Sequence, residues 1–76
     1  MKRYFFDVAF RSSIQYDYRG RELEKPEKAR ELAELMALDL ECSDEGDWEG
    51  AEVRVHDVRG SRCFSVIVRA PELLAA

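Results

Sequence analysis

Arg3-Tyr4-Phe5-Phe6-Asp7-Val8-Ala9-Phe10 is the stretch that decides the fold. In an extended chain successive side chains point to opposite faces, so Tyr4, Phe6, Val8 and Phe10 share one face and Phe5, Asp7, Ala9 and Arg11 the other. The first face is core and the second is mostly wet, which makes this a half-buried strand of a sheet-based domain. The run begins almost at Met1, so no leader or linker is expected before it. Ser12-Ser13 supplies a turn, and Ile14, Tyr16 and Tyr18, alternating with Gln15 and Asp17, predict a return strand and a first hairpin.

Downstream, Asp17-Tyr18-Arg19-Gly20 and Asp57-Val58-Arg59-Gly60 repeat one pattern, Asp at the first and Gly at the fourth position of a tight turn. The Asp carboxylate can accept backbone amides ahead of it and Gly supplies the left-handed dihedral, so both are read as type I turns rather than phosphate or cation loops. Pro26 suits the first turn of a helix, and Glu27 stands favourably near its positive end. The helix is predicted to run to about Cys42, with Ala29, Leu32, Ala33, Met36 and Leu40 as the stripe that covers the sheet. Leu35, Leu38 and Cys42, at i, i+3 and i+7, form a second apolar ridge on the other side. After an acidic loop over 43–50, Ala51, Val53 and Val55 face the core. Phe64, Val66 and Val68 do the same in a last strand whose Cys63, Ser65, Ile67 and Arg69 point away. The tail Pro71-Glu72-Leu73-Leu74-Ala75-Ala76 reads as a docked turn or a frayed end.

Length and charge narrow the function classes. A chain of 76 residues is one domain, 1–76, and so short a chain buries only about 60% of the surface its unfolded form exposes. A hydrophobic content of 46% with 37% charged residues is that of a folded protein. The formal net charge of −4 argues against nucleic acid and against acidic membrane surfaces, which need clustered Lys and Arg. Apolar stretches are far shorter than the ~20 residues a spanning helix requires, and the expected compartment is the cytoplasm. Cys42 and Cys63 are too few and too far apart for a disulfide framework or a zinc knuckle, so both are expected as free thiols.

The predicted architecture is α+β: two antiparallel hairpins flanking one helix, β-β-α-β-β, with the helix on one face of a four-stranded sheet. The most apolar strands, the first and the last, are expected at its centre. Four separated motifs now stand together: Arg3-Tyr4-Phe5-Phe6-Asp7, Asp17-x-x-Gly20-x-Glu22-Leu23, the Ala-rich helix, and Val53-x-Val55-x-Asp57-x-x-Gly60. Over most of its length the chain thus resembles the short bacterial domain-of-unknown-function family numbered 6894. The resemblance implies no activity, since none is established for that family, and carries over no catalytic residues. Trp48 and the two cysteines depart from the family's usual pattern.

Four constellations are candidates for chemistry or binding. If Val55 opposes Phe64 in the last hairpin, His56 falls opposite Cys63, about 5 Å away between Cβ atoms, and a thiol beside an imidazole is a nucleophile with its base. The pair lies on an open sheet face with no third group to orient it, so coincidence is the better reading. Asp44, Glu45, Asp47 and Glu49 miss the ligand spacing of a calcium loop. Trp48 is read as a plug at the core edge, with a partner anchor as the sharper alternative. The outer face gathers Asp7, Glu52, Arg11, Arg54 and Arg69 around Phe5 and Ile67, too few aromatics and too mixed a charge for RNA.

The function expected from the residues is a noncatalytic protein-interaction or regulatory module, with no cofactor and no metal. Its partner is another protein or a second copy, met through Leu35, Leu38, Cys42 and Trp48. The alternatives are a small thiol-dependent enzyme or ligand binder using Cys63 and His56, or an antitoxin-like partner protein.

Overall fold

A computed structural model describes residues 1–43 and 47–69. The elements in chain order are β1 (Lys2–Phe10), β2 (Ser13–Gln15), β3 (Arg21–Leu23), α1 (Pro26–Glu41), β4 (Glu52–Asp57) and β5 (Arg62–Ile67). They form one antiparallel sheet with the order β2-β1-β4-β5, and β3 also pairs with β1.

β1 is the axis of the sheet. Along one edge it pairs with β4 from Tyr4↔Asp57 to Ala9↔Glu52, which sets Phe6 opposite Val55 and Val8 opposite Val53 on the core face. Along its other edge the pairing is divided: β2 takes Val8 to Phe10, and β3 takes Lys2 to Tyr4. The sheet therefore has five strands rather than four. The predicted return strand is cut short at Gln15, and Tyr16 and Tyr18 are 55% and 87% exposed. The turn itself is Arg11-Ser12, with Arg11 in the left-handed region at φ 55°. Alternation of Ile14, Tyr16 and Tyr18 is a local signal, and Asp17, anchored to β1, overrides it by lifting residues 16–20 off the edge.

The expectation that the last strand is central is also corrected: β5 is an edge strand. β4 takes the inner place because both of its edges are matched in length, by β1 and by β5. The β4/β5 ladder begins beside the Trp48–Gly50 turn. There Val68 donates to Ala51 O at 2.8 Å, Gly50 N donates to Val68 O at 3.0 Å, and Gly50 takes φ 88°.

Pro26 opens α1, whose N-cap residue, Lys25, is extended and makes no side-chain capping bond. Cys42 closes the helix by donating its N–H to Leu38 O at 3.0 Å. The side laid on the sheet is centred on Ala29, Ala33 and Ala37, all buried, and small residues at i+4 spacing let the backbone approach closely. Leu32, Met36 and Leu40 pack along one flank of that line. Ala37 thus joins the predicted stripe at its centre, and the three long side chains are half-buried at its margin. Tyr4, Phe6, Val53, Val55, Ala51 and Val68 complete the core. No described helix is long and apolar enough to cross a membrane.

Candidate functional site

Between α1 and the β5 edge of the sheet lies an open groove about 1050 Å³ in volume. Its apolar lining comes from Leu35, Leu38 and Ala37 on the helix and Phe64, Val66 and Ile67 on the strand. Leu35 and Leu38 are 60% and 52% exposed, because the buried alanine line faces the sheet and turns them outward. Of the residues predicted as an interface, the structure brings Leu35 and Leu38 together here. Cys42 is exposed at the helix terminus, and Trp48 lies elsewhere, half-buried with its ring 5.1 Å from that of Phe10. Arg30 stands over the Phe64 ring at one end of the groove, 5.9 Å from its centroid, and Glu41 lines the groove from the far end of the helix.

The outer sheet face holds a polar cluster that sequence reasoning missed. Asp7 is buried there, its carboxylate accepting the Asp17 N–H at 2.9 Å and meeting His56 Nε2 at 3.0 Å. The other ring nitrogen of His56 faces Asp57 O at 3.1 Å, and the ring stacks on Phe5 at 5.3 Å with an interplanar angle of 15°. Asp17 in turn accepts three amides, from Phe6, Arg19 and Gly20, at 3.0 to 3.1 Å. Desolvation pushes the Asp17 carboxyl up, yet those three amides and the nearby His56 outweigh it and hold the group below its ordinary value of 3.8. Every member is engaged within the fold, so the cluster ties the 16–20 segment to β1 rather than presenting a free acid or base. The signal for it was an Asp at an outward strand position beside an Asp-x-x-Gly turn. His56 joins from 49 residues away, and no local pattern reports that contact.

The thiol pair is not assembled. The β4/β5 register shifts between Val55 and His56, so that Val55 opposes Phe64 as expected but His56 opposes Arg62 and Cys63 is the extra residue of a bulge. The Cys63 thiol contacts Ser61 O at 3.6 Å. Desolvation, and then the charge of Asp57, push its pKa up, against a smaller opposite pull from Lys2. A nucleophilic cysteine requires the opposite shift.

Glu52 accepts from Ser65 Oγ and from Arg54 Nε, in that order of weight, and its carboxyl is held below the ordinary glutamate value. These bonds occupy Glu52 and Arg54, two of the charges on the outer face. Asp44 and Glu45 of the acidic loop lie outside the described residues, as does the tail from Pro71 to Ala76. Asp47 caps its own turn by accepting Glu49 N–H at 3.0 Å. Among the described residues no group of three or more His, Cys, Asp or Glu side chains is placed to hold a metal ion.

No curated protein and no solved structure matches the chain. A family model does, over residues 3–69, a span that takes in all four motifs quoted above. The two Asp-x-x-Gly motifs now have a physical reading, as side-chain-capped turns whose glycines sit at φ 69° and 82°. The chain belongs to the family described as Domain of unknown function (DUF6894).

Proposed function

We propose that this domain is a noncatalytic protein-interaction module that self-associates, with the outward side of α1 as its contact surface. The observation that carries the reading is the pair Leu35 and Leu38, more than half exposed side by side and continuous with the apolar lining of the α1/β5 groove. Single exposed leucines are ordinary, but a ridge beside an open groove is a place where a partner gains by covering both. The polar groups favour the same reading. His56 is held by Asp7 and Asp57, and Cys63 is out of register with it and pushed away from the thiolate form. The two free cysteines suit the reducing cytoplasm, where we place the protein.

Light scattering coupled to size exclusion tests this, on the wild type and Leu38→Glu across a range of concentrations. The wild type is expected at twice the chain mass of 8.8 kDa and Leu38→Glu at the chain mass. A wild type that stays monomeric throughout rules the reading out.

A further inference from the structure

The two edges of the sheet are unlike. One is made of β2 and β3, three residues each, separated by the lifted segment 16–20 and carrying Arg21 and Glu22. Short, interrupted, charged edges are how proteins keep sheets from pairing with each other. The other is β5, six residues long, with Phe64-Ser65-Val66-Ile67 uncharged through its middle.

The hydrogen bonding of β5 tells which backbone groups are open. Val68 directs both its N–H and its C=O toward the β4 side, to Ala51 and from Gly50. In an antiparallel ladder this direction alternates residue by residue, so Val66 and Phe64 also face β4, opposite Val53 and Val55. The amides and carbonyls of Ser65 and Ile67 therefore face away from the sheet.

We propose that two copies of this chain join through β5, edge to edge and antiparallel about a two-fold axis, to make one continuous sheet with both helices on the same face. The inference rests on the self-association read above and names its mode. Pairing Ser65 of each copy with Ile67 of the other lets both residues exchange both backbone bonds, so the open groups of one edge satisfy those of the other. Neighbouring strands lie about 4.8 Å apart. Because α1 packs on β4 and β5, that step carries the two Leu35–Leu38 ridges toward each other over the joined strands. Strand edge and helix ridge are then one patch with one occupant.

The charges at the rim agree with an antiparallel arrangement. α1 runs in the same sense as β5, with Arg30 over Phe64 at one end of the groove and Glu41 lining it from the other end of the helix. A two-fold axis through the middle of β5 exchanges the ends, and so sets Arg30 of each copy near Glu41 of the other. The last turn of α1 holds no basic residue, while Arg69, just beyond β5, also lines the groove and Arg30 is paired with Glu34 of its own helix at 3.3 Å.

Amide hydrogen exchange by NMR, run above and below the dimer dissociation concentration, tests the mode, together with sizing of Leu38→Glu, Ile67→Lys and Ser65→Pro. Ile67→Lys leaves every backbone bond in place and sets a charge on the edge. Ser65→Pro removes one outward amide. The expected result is that the Ser65 and Ile67 amides exchange at least tenfold more slowly in the dimer than in the diluted monomer, and that Ile67→Lys is a folded monomer by circular dichroism and light scattering. Ser65→Pro adds a second arm: if folded, it too is expected to be monomeric. A dimer that Leu38→Glu dissociates, but whose Ser65 and Ile67 amides exchange freely, overturns the strand pairing and leaves the self-association reading standing. A wild type monomeric throughout overturns both. A monomer with these two amides protected also overturns the proposal, because the edge would then be covered by the chain itself.

Discussion

The carboxylate of Asp17 accepts the backbone N–H of Phe6 at 3.1 Å, at the point of β1 that neither β2 nor β3 reaches. β2 ends its pairing at Val8 and β3 at Tyr4, which leaves the amide of Phe6 without a strand beside it. A side chain takes the place of a strand there, and the same carboxylate caps its own turn through Arg19 and Gly20. Asp17→Ala is expected to cost roughly 2–3 kcal/mol, because it strands an amide at a nearly buried residue and releases the turn. Urea denaturation of the variant measures it, and a loss under about 0.5 kcal/mol would show that water replaces the carboxylate freely.

Acid should weaken the fold. Asp17 and Glu52 both have folded values below their ordinary 3.8 and 4.5, so each favours the folded state above those values. That contribution is lost as pH falls through the lower folded values. The urea midpoint is expected to drop as pH is lowered from about 4.5 toward 2, and Asp17→Asn to lose part of that dependence. An unchanged midpoint between about pH 5 and 3 would contradict the assignment.

Gly20 and Gly60 occupy the same place in the repeated turn motif yet are expected to differ on substitution. Both lie at positive φ, which costs a side chain about 1–2 kcal/mol. At Gly60 a Cβ meets nothing within 4 Å, so Gly60→Ala should lose only that amount. At Gly20 a Cβ would stand 2.8 Å from Tyr4 O and 2.9 Å from the Phe5 ring, so β1 must shift, for about 1–3 kcal/mol more. Thermal melts of the two variants side by side check the order, and equal losses would show that β1 yields without cost.

Phe6 is 5% exposed and faces Val55 across the sheet, under the alanine line of α1. Phe6→Ala should cost about 3–5 kcal/mol, a large part of the roughly 5–15 kcal/mol that holds a domain together. The variant is expected to be largely unfolded at room temperature by circular dichroism. A melt within a few degrees of wild type would mean that the core can close over the lost ring.

Cys63 should be a slow thiol. Desolvation and Asp57 keep Cys63 protonated to higher pH than an ordinary thiol, so its rate with a disulfide reagent at pH 7 should fall below that of a free cysteine in an unstructured peptide. Mass spectrometry of each modified peptide over time, without reductant, follows Cys63 by itself. Rapid labelling of Cys63 would reopen the thiol-enzyme alternative. An intramolecular bridge is not expected, since both cysteines are free.

By itself the sequence determined what is local. The alternation of Tyr4, Phe6, Val8 and Phe10 named the core face of β1, Pro26 marked the helix start, and Leu35 and Leu38 were turned outward by the 3.6-residue period alone. The Asp-x-x-Gly turns were legible because a carboxylate and the amides it caps lie within a few residues. The tertiary structure decided what depends on distant pairing. Asp17 had to reach Phe6 before the strand predicted through Tyr18 could be cut short at Gln15, and His56 had to meet Asp7 before that cluster existed. The bulge that took Cys63 out of register with His56 was settled where β4 and β5 pair, and β5 was left at the edge because β4, not β5, lies beside β1. A strand's own residues report which face it buries, since that follows from alternation. They do not report which strand lies beside it, since that depends on how all the elements pack at once.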